Sequence, residues 1–175
     1  MKFFFLTFSF LFLFLINEVK AASDIAFIDM DKLIIKSKPG SSILNQLKEI
    51  NKQNIKKFDK NEKVLKENED ALIAKKNILS DIQFKKEITK LKSDIGIYND
   101  NRNKTILAFN KIKLNNTNKL LKLINPILRS YADENSIGLI LQKKNIIVGK
   151  TELDITEEVI LLINKSIKEF KLNDW

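Results

Sequence analysis

From Ile43 to Leu123 the chain holds one glycine and no proline, and its apolar residues recur at helical spacing. A stretch this long without breakers cannot be cut into short strands and tight turns, so it has to be long helix. Leu44, Phe58, Leu65, Leu72 and Leu79 share one seven-residue spacing, with Asn51 at the missing step. Three residues further on stand Leu47, Asn54, Asn61, Asn68 and Lys75, so the apolar seam is thin and one edge is mostly polar. A helix inside a globular core shows a wider stripe. Ser80-Asp81 reads as a restart, a capping hydroxyl followed by an acid at the positive end of a helix. Alternate steps of four and three from Phe84 then reach Ile88, Leu91, Ile95, Tyr98, Arg102, Thr105, Phe109, Ile112, Asn116, Lys119 and Leu123; eight of these 12 positions are apolar or aromatic. That is coiled-coil spacing. The short join makes the two helices an antiparallel hairpin, an arm on the order of 50 Å long. Gly96 weakens the second helix by about 1 kcal/mol relative to Ala. Pro126 predicts a kink or a fresh helical start before 127–135.

The flanks read differently. Ile25-Ala26-Phe27-Ile28 predicts a strand over 25–29, followed by a short helical turn around Met30 to Ile35. Lys38-Pro39-Gly40-Ser41-Ser42 reads as a breaker, with Ser41 or Ser42 capping the helix beyond it. After the arm, 137–142 and 145–148 predict two strands around the turn Lys143-Lys144-Asn145. A last helix over 156–171 starts at Thr156 with Glu157 and Glu158 in its first turn. Ile155, Val159, Leu162, Ile163, Ile167 and Phe170 line one face of it. The predicted fold is therefore α+β and mostly α. A coiled-coil arm over 44–122, with its tip near 78–81, stands on a small β body made of 22–43 and 123–175. Three short strands and one helix cannot bury a stable core alone. Either they pack on the base of the hairpin or several copies pool them. Pooling is favoured, because edge strands this apolar would otherwise aggregate. Ile25, Phe27, Met30, Leu139, Leu141, Ile146 and Val148 are the residues expected to meet in the pooled body.

Composition removes most chemistry. The 175-residue chain has no Cys and no His, and only four Gly and two Pro. Zinc fingers, thiol nucleophiles, Ser-His-Asp relays and disulfides are excluded, and no glycine-rich phosphate loop occurs. No catalytic residue, cofactor or metal ligand is assigned. Asp29, Asp31, Glu157 and Glu158 sit where strand boundaries and helix starts explain them. Seven of the 12 Phe residues lie in the first fourteen positions. There Met1-Lys2 precedes an uncharged run from Phe3 to Ile16, and Val19 and Ala21 supply small residues before a cleavage point. This pattern predicts an export signal over 1–21 and, in a bacterium with two membranes, a periplasmic protein. The apolar run is short for a membrane span, and no Cys follows it for a lipid anchor.

The order of signal, short strand, helical hairpin, strand pair and terminal helix resembles the Skp/OmpH family of periplasmic chaperones. The specific residues lie at the two ends. Ile25-Ala26-Phe27-Ile28-Asp29-Met30 is similar to the family's opening strand, and Ser136 to Val148 to its strand pair. Leu153-Asp154-Ile155-Thr156-Glu157-Glu158-Val159 resembles the Asp-Ile-Thr start of its last helix. The arms match in length, composition and the Leu79-Ser80 restart. The resemblance implies a homotrimer with a central β-barrel and three arms around a cavity. Such an assembly holds unfolded outer-membrane proteins without ATP. The family has no arm motif from which client-binding residues could be carried over, and its lipopolysaccharide site is left unassigned.

Charge supports the same picture from the residues themselves. The formal net charge is +9, and between Leu44 and Lys122 there are 19 basic and 10 acidic side chains. The arms thus carry the positive field, which separates them and attracts acidic clients or an anionic lipid or lipopolysaccharide surface. The holdase hypothesis places weak multivalent contacts on Lys56, Phe58, Lys63, Lys76, Phe84, Lys85, Tyr98 and Phe109. For each of these aromatics, packing inside the hairpin is the stronger reading. The competing class is a structural envelope adaptor whose coiled coil binds anionic lipid or a folded partner. Nucleic acid, which the net charge alone would permit, is argued against by the export signal.

Overall fold

The computed structural model describes residues 24–168 and 170–172. The predicted export signal over 1–21 lies outside them. The chain is mostly helical around a small two-stranded sheet. Strand β1 (Asp24–Ile28) leads into helix α1 (Met30–Lys36), whose N-cap Asp29 accepts a hydrogen bond from the Lys32 amide at 2.9 Å. Ser37 ends α1 and caps α2 (Lys38–Ala74), accepting from the Gly40 amide at 3.3 Å. The Pro39-Gly40 pair is therefore the first turn of α2 and not the breaker that its composition suggested, and Ser41 and Ser42 do not cap. The reason is positional. A proline at the start of a helix lacks only an N–H that would have been orphaned anyway. Gly40 is required by close approach, since a Cβ there would lie 1.9 Å from the Ile34 carbonyl oxygen.

Helix α3 (Asp81–Glu134) follows a short turn and opens on a capping box. The Gln83 amide donates to Ser80 Oγ at 3.4 Å, while the Ser80 amide donates to Gln83 Oε1 at 3.2 Å. The helix runs 54 residues and passes through Pro126, so of the expected kink or fresh start the fresh start does not occur. Pro126 removes the donor for the Lys122 carbonyl; both residues are exposed, so water can satisfy it. After Ser136, at φ 56°, comes β2 (Ile137–Gln142).

β2 pairs in parallel with β1, with Ile25 opposite Leu139 and Phe27 opposite Leu141. Parallel neighbours need a crossover, and here the entire hairpin is that crossover. The predicted second strand over 145–148 is not formed. Lys143–Asn145 make a 3-10 turn, and the chain folds back over β1, where Gly149 packs against the Phe27 ring. A second 3-10 turn (Thr151–Leu153) precedes helix α4 (Thr156–Ser166), which is shorter than the predicted 156–171. Beyond it Phe170 is buried, and its carbonyl accepts from Ser42 Oγ at 2.9 Å and Gln46 Nε2 at 2.8 Å.

The core sits where the base of the hairpin meets the sheet and α4. Ala26, Ile28, Leu33, Ile43, Leu47, Leu120, Ile124, Val159 and Ile163 form it. The body thus closes a core on the hairpin base within one chain, while Ile25, Leu139 and Leu141 stay exposed. The seam of α3 also changes register near this core. Leu120 and Ile124 are fully buried, whereas Leu123 is 43% exposed and Lys119 lies outside the core. An unsupercoiled helix drifts by about 20° per heptad, so steps of four from Ile112 through Asn116 replace the seven-residue pattern.

Candidate functional site

Along the arm, Phe58, Leu65, Leu72 and Leu79 of α2 and its following turn are half-buried, as are Phe84, Ile88, Leu91, Tyr98 and Phe109 of α3. None of these side chains is fully buried, because two helices cover only one another's facing stripe. Asn51, Asn61 and Asn68 stay exposed. Halfway along lies a polar cross-link. The Tyr98 hydroxyl donates to Glu62 Oε1, Arg102 Nε lies 4.0 Å from the same carboxylate, and the Arg102 guanidinium sits 5.5 Å from the Phe58 ring centroid. Burial first, and then the bond to Glu62, push the Tyr98 phenol above its ordinary pKa. Arg102 occupies a seam position, and its stem and cation take the place of an apolar knob.

The predicted contact residues divide by chemistry. Phe58, Phe84, Tyr98 and Phe109 face into the hairpin and are half-buried, with Phe109 also against the core. Lys56, Lys63, Lys76 and Lys85 are exposed, and Lys63 approaches Glu67 at 3.9 Å. The arm surface is therefore cationic, with apolar edges only partly withdrawn behind it. Among the described residues no group of acids could hold a metal ion, and no helix is long and apolar enough to cross a membrane.

The body presents a second surface. On the sheet face away from the core, Ile25, Leu139 and Leu141 are exposed. Phe27 lies on the same face but is covered within the chain by Gly149 and by Lys143, whose Nζ is 5.8 Å from the ring centroid. Met30 packs against the core, and Ile146 is half-buried. Val148 and Ile147 project from the loop, the latter fully exposed. Of the seven residues expected in a pooled body, Phe27 is thus buried by its own chain, and Met30 and Ile146 are half-buried. The composition of 146–148 could suggest a strand, but not this exposure.

The Asp154-Ile155-Thr156 run acquires a physical role. The Asp29 amide donates to Thr156 Oγ1 at 2.9 Å, and that hydroxyl donates to Asp154 Oδ1. The Thr156 amide donates to the same Asp154 oxygen at 3.1 Å, and Lys143 Nζ lies 2.8 Å from Oδ2. The Ile155 amide donates to the Phe27 carbonyl at 3.1 Å. Burial alone would raise the Asp154 carboxyl, but the hydrogen bonds from Lys143 and Thr156 outweigh it and hold the pKa below its ordinary value. The run welds the start of α4 to the end of β1. It builds the platform on which the arm stands.

No curated protein matches the chain by sequence comparison. Its structure is similar to the crystal structure of a candidate outer membrane chaperone (OmpH-like) from Caulobacter crescentus CB15. The two superpose with a TM-score of 0.71 over 87% of this chain and 90% of that one, at 15% identity, a likeness of fold alone. The family profile described as "Outer membrane protein (OmpH-like)" matches residues 24–163, from the first strand almost to the end of α4. With most of its length covered by that match, the chain belongs to the OmpH-like outer membrane protein family.

Proposed function

We propose that this protein is an ATP-independent holdase of the periplasm that binds unfolded outer-membrane proteins between basic arms and keeps them from aggregating. The observation that carries the reading is the arm. It is long, cationic and only half-packed, and exposes lysines beside apolar edges along its length. Many weak contacts of this kind retain a non-native chain without a deep pocket. The name of the structural neighbour, a candidate outer membrane chaperone, supports the same direction. The exposed face of Ile25, Leu139 and Leu141 supports a trimer in which three copies cover one another's sheets and space the arms around a cavity.

Diluting a urea-unfolded outer-membrane barrel protein into stoichiometric purified protein at low salt should suppress turbidity. Unchanged turbidity would sink the holdase reading in favour of an envelope adaptor that binds a folded partner. Replacing Lys56, Lys63, Lys76 and Lys85 together by Gln should weaken suppression without changing helicity. A native mass of three chains is expected, and a monomer would remove the shared cavity.

A further inference from the structure

Beyond α4 the chain runs as a strap back across the base of α2. Residues 167, 168 and 170–172 form neither helix nor strand, and they lie past the family match, which ends at residue 163. Ser42 Oγ and Gln46 Nε2 both donate to the Phe170 carbonyl, at 2.9 and 2.8 Å. Gln46 Oε1 accepts from the Leu172 amide at 3.1 Å. One glutamine side chain thus holds the two backbone groups that flank Lys171, the pair a parallel neighbouring strand would hold. The Phe170 side chain is 4% exposed and joins the core cluster, Leu172 packs against that cluster, and Lys171 between them is exposed. Lys119 Nζ lies 5.4 Å from the Phe170 ring centroid. The groove therefore reads main chain through Ser42 and Gln46 and one aromatic ring through a buried socket.

We propose that this groove is a binding site for extended aromatic–polar–apolar segments of an unfolded client, and that the strap occupies it as an internal competitor. The identity of the occupant rests on the holdase reading. Phe170-Lys171-Leu172 has the apolar–polar alternation of an outer-membrane barrel strand, and such strands carry aromatic girdles. A cation over the ring favours an aromatic anchor over an aliphatic one. The strap is tied by two side chains and one ring, so it can leave without undoing a helix or the sheet. While it is seated, a client meets only the fraction of chains whose groove is open, and its apparent affinity falls by that fraction.

The test is fluorescence anisotropy of a labelled barrel-strand peptide with a Phe-Lys-Leu centre, titrated with the processed protein. The strap-release variant Phe170→Ser/Leu172→Ser should bind it about tenfold or more tightly than the parent does. Adding Gln46→Ala should return the affinity to the parent's level or below. A peptide with Leu in place of Phe should bind the release variant about threefold more weakly. Equal binding by parent and release variant would overturn the proposal. So would a release variant whose native mass rises while its peptide affinity does not, since the groove would then take a second copy. A second measurement needs no substitution in the core: saturating peptide should speed hydrogen exchange of the Leu172 amide in the unaltered protein. A bound peptide that leaves this amide protected sits elsewhere, and the site is wrong. Suppression of turbidity without peptide binding removes this proposal and leaves the holdase reading standing. Peptide binding without suppression keeps the groove and sinks the holdase reading.

Discussion

The body and the arm are made from the same few apolar residue types, yet they use them differently. In the body, Leu33, Leu120, Ile124, Val159 and Ile163 are completely buried, each meeting neighbours from several elements. In the arm, Leu65, Leu72, Leu79, Ile88 and Leu91 remain half-buried, each touching one facing helix. The body is therefore held by deep burial and should unfold as a unit. The arm is held by many shallow contacts and can open locally at little cost.

Single substitutions can break or sharpen that contrast. The largest effect is expected for Leu120→Ala, which should cost about 2–5 kcal/mol in urea unfolding. Leu91→Ala, on the same helix but in the arm, should cost well under half as much. Equal costs would show that the arm is as tightly packed as the body. Next come the two helical glycines. Gly40→Ala should destabilise by about 1–3 kcal/mol, because its methyl group has nowhere to go. Gly96→Ala should stabilise by up to about 1 kcal/mol, since nothing lies within 4 Å of the added carbon.

Thr156→Val leaves the Asp29 amide without its partner and should cost about 1–3 kcal/mol. The same junction sets an acid limit. The folded state depresses the Asp154 pKa, so its contribution is present above the unfolded carboxylate value and lost as pH falls through the folded one. Asp154→Asn should accordingly lower stability at neutral and alkaline pH, where the carboxylate contributes, and flatten the acid side so that variant and parent converge at low pH. The smallest effect is expected for Tyr98→Phe, below about 1 kcal/mol globally. Its signature should be faster amide exchange around Glu62 and Tyr98, with no change in the body.

Local signals were legible where local chemistry decides the outcome. Ser80 and Asp81 read as a helix start because a cap needs only a hydroxyl and a free turn, and Ser80 is the cap. The aromatic positions of the arm read as hairpin packing from spacing alone, and they are half-buried in the structure. The Asp154-Ile155-Thr156 run was visible as a pattern, but the amide of Asp29 that explains it is 127 residues away in sequence from Thr156. Pro39 misled, and the fresh start offered at Pro126 did not occur, for the same reason. A proline's cost depends on which carbonyl or N–H is displaced, and composition does not show that. The parallel pairing of β1 with β2 was hidden because neighbouring strands in sequence suggest a hairpin. Here the 3-10 turn at Lys143–Asn145 sends the chain across Phe27 instead. Ile73, Ile78 and Ile82 lie outside both seams and are exposed, and heptad spacing carries no signal for such positions.

Placing the whole hairpin between two hydrogen-bonded strands orders the steps of folding. As a flexible loop, the chain from Asp29 to Ser136 would impose a large closure entropy on β1 and β2. Once α2 and α3 zip from the capped turn at Ser80, they return the chain to its starting point, and that cost has already been met by local contacts. The arm is then a splint for the sheet. A nascent chain that lacks β2 leaves the apolar edge of β1 unpaired, so aggregation of truncated chains should fall sharply only once synthesis has passed Gln142.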